Sequence, residues 1–516
     1  MSQFPCRAIT VDLSSGTVTT EEIPGSYYRK FCGGYGLGAA ILLERMDPSA
    51  DPLGPDNLLG FAAGYLTGTG AYIGSRFMVF GKSPSTGGWG DSNCGGYFGK
   101  GMRQSGADLL LFSGSAANPV YVLIDVGNVS IHSAGDLWGR DTYETEAFLK
   151  DCHGNSAQVA CIGQAGERLS MIAGISTDRG RFAARSALGA VMGSKLLKAV
   201  VVKGSLPVPC AHPDMVSELR REYRSRFKED FPATLSRYGT PMFYHSSLLA
   251  GDTPVRNWGG SAVDLKVSKL DEAETVLGYQ KRKYGCQGCP VACGGHVEIE
   301  EGLYKTAGPV HKVEYETMGM FGANLLNDNI ESLIRINDLC NQFGMDTIGC
   351  GGLVAFATEC FARGIISEGD TDGLRLEWSD RPRIVKLVEL IGSGEGLGEI
   401  LSKGFEYAVE RFGPESRSLA IAVRNEGLPA HDPRWSADLA LTYYSDATPA
   451  RHTQGCTTFP VAGYVMPDAT GGSLPVNVQA KAHRDNVNLY HALSSLGLCL
   501  FGFSILDHSV IPRFLK

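Results

Sequence analysis

Three thiols stand at Cys286-Gln-Gly-Cys289-Pro-Val-Ala-Cys293. Thiolates at this C-x2-C-x3-C spacing suit soft metal centres. Gly285, Gly288, Gly294 and Gly295 surround the run and let the backbone wrap closely around one centre. The run supplies three ligands, whereas a cubane or a tetrahedral site takes four. A 4Fe–4S cluster with a remote fourth cysteine is the favoured reading. Zinc completed by His296, three residues on, and unconnected thiols are the alternatives. Cys499, after the glycine turn of Ser494-Ser-Leu-Gly-Leu-Cys499, is a candidate for the remote ligand. Cys340, Cys350 and Cys360, ten apart in helical surroundings, read as buried, inert thiols.

Acid–base chemistry has fewer candidates. Glu314-Tyr-Glu316 follows Gly308-Pro309, and His452 lies in Thr448-Pro-Ala-Arg-His-Thr453. A glutamate and a histidine brought within hydrogen-bond reach can move protons; alone, each is more often structural or solvated. Gly33-Gly-Tyr-Gly-Leu-Gly38 precedes a helix-like 39–46 stretch. Its glycines alternate, without GxGxxG spacing or an apolar strand leading in, which argues against a dinucleotide fold. Ser92-Asn-Cys-Gly-Gly-Tyr-Phe-Gly99 and Leu188-Gly-Ala-Val-Met-Gly-Ser-Lys195 read as glycine-lined turns. Their amides can approach anionic groups or simply tighten connections between strands. Arg76 follows Gly74-Ser75 and precedes a strand.

The elements that must position these groups change character along the chain. Short apolar or alternating runs at 8–13, 17–23, 77–80, 109–112, 120–126, 159–162 and 199–202 are bounded by turn residues and predict strands. From about residue 214 the period becomes helical: Met215, Leu219, Tyr223 and Phe227 lie four apart, and 330–343, 353–363 and 383–391 continue it. The 516 residues predict two to three domains of roughly 100–200 residues. Glycine is abundant: 33 of the 66 fall in residues 1–210, inside the β-rich part. The 47 basic and 55 acidic residues leave a net charge of −8, without a long basic run. Nucleic acid and anionic membranes are therefore not expected as partners. No signal segment or membrane span is visible, and 14 cysteines in such a chain suit reduced thiols and a cytoplasmic protein.

Taken together, these pieces resemble the tungsten-containing aldehyde ferredoxin oxidoreductase family. The match runs in family order through Phe31-Cys-Gly-Gly-Tyr-Gly-Leu-Gly38, Gly74-Ser-Arg-Phe77, Asp91-Ser-Asn-Cys-Gly-Gly96 and Gly189-Ala-Val-Met-Gly-Ser-Lys195. It continues through the three-cysteine run, Glu314-Tyr-Glu-Thr317, Asn341-Gln-Phe-Gly-Met-Asp346, Arg451-His-Thr453 and Gly497-Leu-Cys499.

The resemblance implies an α+β fold. A two-layer β-sheet base that carries the cofactor (1–208) would be followed by helical domains at 209–418 and 419–516. It implies tungsten, or molybdenum, held by two pterins whose phosphates share a magnesium ion. Beside them would lie one 4Fe–4S cluster on Cys286, Cys289, Cys293 and Cys499. Arg76 would bridge cluster and pterin, and Asn93 and Ala183 would offer carbonyls to magnesium. Arg185, Asp346, Gly497 and Leu498 would line the cofactor.

The activity implied is aldehyde oxidation to a carboxylic acid. His452 and one of Glu314 and Glu316 would handle protons, and electrons would pass to ferredoxin or an iron–sulfur subunit of a homodimer or hetero-oligomer. A low-potential reductase of aromatic CoA thioesters is the alternative within the family, and a zinc-stapled binding protein the alternative outside it. Asn341 and Ser494 stand where the family often has Asp, Ser186 and Ala187 replace a more glycine-rich approach, and no Glu-x-x-His occurs. Only 17 residues follow Cys499, which predicts a short last domain.

Overall fold

The computed structural model describes residues 6–265, 270, 273–455, 476–506 and 509–516. Two six-stranded sheets form its first part. The first is built from β1 (Cys6–Asp12), β2 (Thr17–Ile23), β3 (Leu59–Ala63), β4 (Phe77–Lys82), β5 (Trp89–Cys94) and β6 (Leu109–Ser113), ordered β2-β1-β6-β3-β4-β5. All its pairs are antiparallel except β1 with β6. The second contains β7 (Val120–Asp125), β8 (Asn128–Ser133), β9 (Gln158–Cys161), β10 (Ile175–Thr177), β11 (Arg181–Ala183) and β12 (Leu197–Lys203), ordered β11-β10-β9-β12-β7-β8. Here β12 and β7 are the parallel pair.

One apolar core joins the two layers. Phe61, Phe77, Val79, Leu110 and Phe112 of the first sheet pack with Val122, Ile124, Ile175, Val200 and Val202 of the second. Near-continuous apolar runs such as Leu109–Phe112 and Val120–Ile124 announced their strands because they are buried on the sheet faces. Two stretches read as turns are regular elements instead. Ser92–Cys94 completes β5, whose polar sequence hid it; its buried neighbour β4 supplies the apolar side of the pair. Leu188–Ser194 is a helix sunk in the core. A Cβ on its Gly193 would lie 2.0 Å from the Gly166 carbonyl oxygen, so glycine there permits close packing rather than a turn.

Helices dominate the remainder. Asn329 caps the Ile330–Phe343 helix, Asp346 caps Thr347–Ala362 and Asp380 caps Arg381–Ser393. A three-stranded sheet of β13 (Gln280–Tyr284), β14 (Gly294–Val297) and β15 (Val310–His311) brackets the cysteine run. The Val476–Leu496 helix crosses back over the first sheet. There it meets the Gly34–Arg45 helix, which begins five residues before the expected helical stretch. Gly34 and Gly36 make that crossing: a Cβ on Gly34 would sit 2.5 Å from the Ser494 oxygen, and the Gly36 N–H donates to Ser495 Oγ at 3.0 Å. Tyr65 N and Leu66 N also donate to the Ser495 and Leu496 carbonyls, which anchors the approach to Cys499. No helix among the described residues is long and apolar enough to cross a membrane.

Candidate redox and acid–base site

The cysteine run and Cys499 meet because Arg76 and Gly497 join distant parts of the chain. Arg76 N–H donates to the Gly497 carbonyl at 3.0 Å, and Cys499 N–H donates to Ile73 O at 3.2 Å. Gly497 takes φ +77°, and a Cβ on it would strike Thr67 Oγ1 at 2.2 Å. Leu498 pairs with Gly74. On the other side, Gln287 N–H donates to Gly96 O, and a Cβ on Gly95 would lie 2.8 Å from Cys286 Sγ.

Arg76 is the hub. One terminal nitrogen reaches Cys499 Sγ at 3.4 Å, the other donates to Asn93 Oδ1 at 2.7 Å, and Nε is buried without a partner. Burial raises the Cys499 thiol, but the Arg76 charge and amides of Gly502 and Phe501 outweigh it and the thiol falls below its usual range. A thiolate is the form a metal takes. Cys289 and Cys293 are pushed up by burial to about 11 and about 12, with Cys499 and Cys286 adding to this at Cys289 and Glu314 foremost at Cys293.

Among the described residues the one group of three ligand atoms within 4.8 Å of one another is Glu316, His431 and His452. The cysteine sulfurs, with or without His296, are more widely spread. A tetrahedral zinc at about 2.3 Å from each sulfur would draw them to within about 4 Å. His296 is held elsewhere, accepting from Arg282 Nε at 3.0 Å and stacking on Tyr284.

From the cysteines, β5 runs towards a cluster of buried polar side chains. It is the edge strand of the first sheet, and it packs against β11, the edge strand of the second, which brings Asn93 and Ala183 onto neighbouring elements. Edge strands leave backbone carbonyls unpaired on one side, as a bound cation requires. Gly95 touches Cys286, Asn93 takes Arg76, Ser92 Oγ accepts from Arg185 N–H at 3.2 Å, and Asp91 O accepts from Arg451. At a strand rise of about 3.3 Å per residue, this contact line spans roughly 13 Å. Arg185 bonds the Asp346 carboxylate at 2.9 Å, Glu426 at 3.0 Å and Gly427 O at 2.6 Å. Asp346 also caps its helix through Ile348 N and Gly349 N, so its carboxylate is largely consumed by the chain itself.

At the far end lies the acid–base group. Glu316 Oε2 accepts from Ala430 N–H at 2.8 Å, while Oε1 faces His431 Nε2 at 3.5 Å and His452 Nδ1 at 3.6 Å. Burial pushes the Glu316 carboxyl above its ordinary range despite the attraction of His431. Burial, with His431, Arg185 and Arg451, drives His452 well below 6.5, so its imidazole is neutral. Asp252 Oδ2 lies 2.8 Å from His431 Nδ1, which makes that nitrogen the donor and turns Nε2 towards Glu316.

Glu314 is not part of this group. It stands at the N-cap of the Tyr315–Phe321 helix, bonded by Thr240 Oγ1, on the side of Cys293 and Arg181. Sequence reasoning missed His431, Asp252, Arg451 and Arg181. Pro429-Ala-His-Asp-Pro433, a His-Asp pair pinned by two prolines, was the available signal for the first. Arg181, half-buried 4.9 Å over the Tyr284 ring with Nε and one terminal nitrogen buried and unpartnered, carried none.

Comparison with known proteins follows the same map. Residues 8–204 match the profile of the aldehyde ferredoxin oxidoreductase N-terminal domain, and residues 218–516 that of its domains 2 and 3. A tungsten-containing aldehyde ferredoxin oxidoreductase of Pyrococcus furiosus is 34% identical over 505 residues, covering 96% of this chain and 81% of the relative. Its counterpart in Thermococcus kodakarensis is 36% identical over 464 residues, covering 89% and 75%. The WOR-like subunit of an aliphatic sulfonate oxidoreductase of P. furiosus is 31% identical over 495 residues, covering 90% and 77%. Among solved structures, the BamBC active-site complex of benzoyl coenzyme A reductase shares the fold. The TM-score is 0.83 at 24% identity, over 96% of this chain and 81% of that one.

Proposed function

The chain belongs to the aldehyde ferredoxin oxidoreductase family and is an oxidoreductase, and we propose that it oxidises aldehydes to carboxylic acids, passing electrons through a 4Fe–4S cluster to a ferredoxin-type acceptor. The observation that carries this reading is the line along β5, with four cysteines at one end and Glu316 and His452 at the other.

Cys286, Cys289, Cys293 and Cys499 would hold the cluster. Arg76, Asn93, Ala183, Arg185, Asp346, Gly497 and Leu498 would bound a tungsten bis-pterin and its magnesium. Arg76 and Arg451, each with a buried unpartnered Nε, are the donors best placed for an anionic group. The cofactor, when bound, supplies the two-electron oxidation. In balance, an aldehyde and one water yield a carboxylic acid, two electrons and two protons.

The chain's own residues handle those protons. Glu316 Oε1, raised by burial, takes a proton, with the His431 ring 3.5 Å away and fixed in orientation by its Nδ1 contact to Asp252. Neutral His452 orients the carbonyl or the water without bringing a second charge beside Glu316. Gaps of 3.5 and 3.6 Å are closed by substrate or by one bridging water. Asp346 acts by holding Arg185, and Glu314 by starting a helix.

Anaerobically purified protein given short aliphatic and aromatic aldehydes should reduce a viologen dye in an aldehyde-dependent way. No turnover with any aldehyde, together with reduction of an aromatic CoA thioester, would replace this reading with the low-potential reductase.

A further inference from the structure

The cysteine loop opens on a cationic surface that the chemistry above does not use. β13 carries Lys281, Arg282 and Lys283, all exposed, and runs directly into Gly285 and Cys286. It is an edge strand, paired only with β14. Gly288 and Pro290, inside the loop, are exposed as well. Beside them is a cleft of about 410 Å³ whose lining reaches from Gly96 and Gly285 to Arg179 at the β10–β11 turn.

The charges there do not cancel. Lys150, Arg179, Arg181, Arg282 and Lys283 line the cleft against two carboxylates. Of those two, Glu146 is taken by Lys150 at 2.6 Å, and Asp178 accepts from the Tyr97 N–H at 2.8 Å. Arg282 donates to neutral-capable His296, Lys283 to the Ser236 hydroxyl at 2.8 Å, and Arg179 lies 5.0 Å over the Tyr143 ring. Lys281 alone on the strand has an acidic partner, Glu300. Desolvation together with Arg282, Arg179 and Arg181 lowers His296 below 6.5, a second sign of the local positive field. On a chain of net charge −8, a carrier with an acidic face is repelled over most of the surface and drawn to this one.

We propose that Arg179, Arg282 and Lys283, around the opening of the cysteine loop, form the docking surface for an acidic iron–sulfur protein of the ferredoxin type. The inference rests on the reading that electrons leave through a cluster on these cysteines. One electron passes from the reduced cluster to the oxidised carrier, which leaves reduced, and two such events follow each aldehyde.

The test uses the holoenzyme and an acidic two-cluster bacterial ferredoxin as probe. Its Kd is measured across a salt series for the wild type, the Arg282→Glu/Lys283→Glu double variant and Arg179→Glu. Iron content and aldehyde-dependent viologen reduction are followed in parallel. Expected is wild-type binding that weakens steeply with salt, and at least about a tenfold higher Kd in the double variant at low salt, about 1.4 kcal/mol. Iron content and dye turnover should be unchanged, since the dye needs no docking surface. Wild-type Kd and salt slope in an iron-replete double variant, or absence of binding by the wild type at low salt, overturn the proposal. If the double variant loses iron, Arg179→Glu, remote from the cysteine loop in sequence, decides by the same criterion. Patch-dependent binding without any aldehyde turnover would leave the docking surface standing and remove the aldehyde reading. Dye turnover with patch-independent binding would do the reverse.

Discussion

Glu314 and Glu316 are separated by one tyrosine, yet the start of a helix sends them into different surroundings. Glu314 holds the N-cap position and bonds Thr240; Glu316, in the first turn, reaches Ala430 and the two histidines. Glu316→Gln should therefore slow turnover at least about 100-fold with metals retained, the usual scale of general acid–base loss. Glu314→Gln should leave kcat within a few-fold and act on stability. Equal loss in both variants would contradict the assignment. Because burial raises the Glu316 carboxyl above 4.5, it is protonated, and useless as a base, at pH values where an ordinary glutamate is ionised. The expected kcat/KM falls as pH falls through that raised value, without a limb at 6.5 from His452, which stays neutral. The residue types were legible in the sequence and the resemblance paired His452 with one of the two glutamates; which glutamate, and the part of His431 and Asp252, were not. His431 meets Asp252 across 179 positions, and only folding creates such a contact.

Elements were legible where burial wrote an apolar pattern and illegible where glycine or polarity hid it. β4, β6 and β7 announced themselves by apolar runs, and the Thr347–Ala362 helix only in part, since the expected 353–363 stretch begins six residues inside it. β5 and the Leu188–Ser194 helix did not, because Trp-Gly-Asp-Ser-Asn-Cys and Leu-Gly-Ala-Val-Met-Gly-Ser carry turn formers for reasons of close approach. The glycine excess of the first half thus has a physical meaning. Gly189 and Gly193 let the helix touch the Gly174 and Gly166 carbonyls, and Gly34 admits the helix that leads to Cys499. Gly193→Ala should destabilise the β base by about 1–3 kcal/mol, an overpacking cost, read as a lower thermal midpoint. Gly135→Ala, whose Cβ would find its nearest neighbour at 3.8 Å, is the control. Equal midpoints for the two would show that the helix relaxes away from its neighbour.

At the scale of the whole molecule, two β layers form a base, helices close over it, and the Val476–Leu496 helix returns to deliver Cys499 beside Arg76. The switch from strands to helices was readable from periodicity alone and the cluster was the favoured reading of the cysteine spacing, whereas the metal, the pterins and magnesium followed only from the family resemblance. Zinc was open on sequence because three thiols and a nearby histidine satisfy its preferences. In the fold His296 accepts from Arg282 and stacks on Tyr284, contacts that a zinc ligand there would have to give up. The central claim is that these residues carry a tungsten or molybdenum centre and a four-iron cluster. Elemental analysis of anaerobically purified protein tests it most directly. About four iron atoms and one tungsten or molybdenum per chain, with zinc at background, is the expected result; one zinc per chain with neither iron nor tungsten nor molybdenum would contradict it.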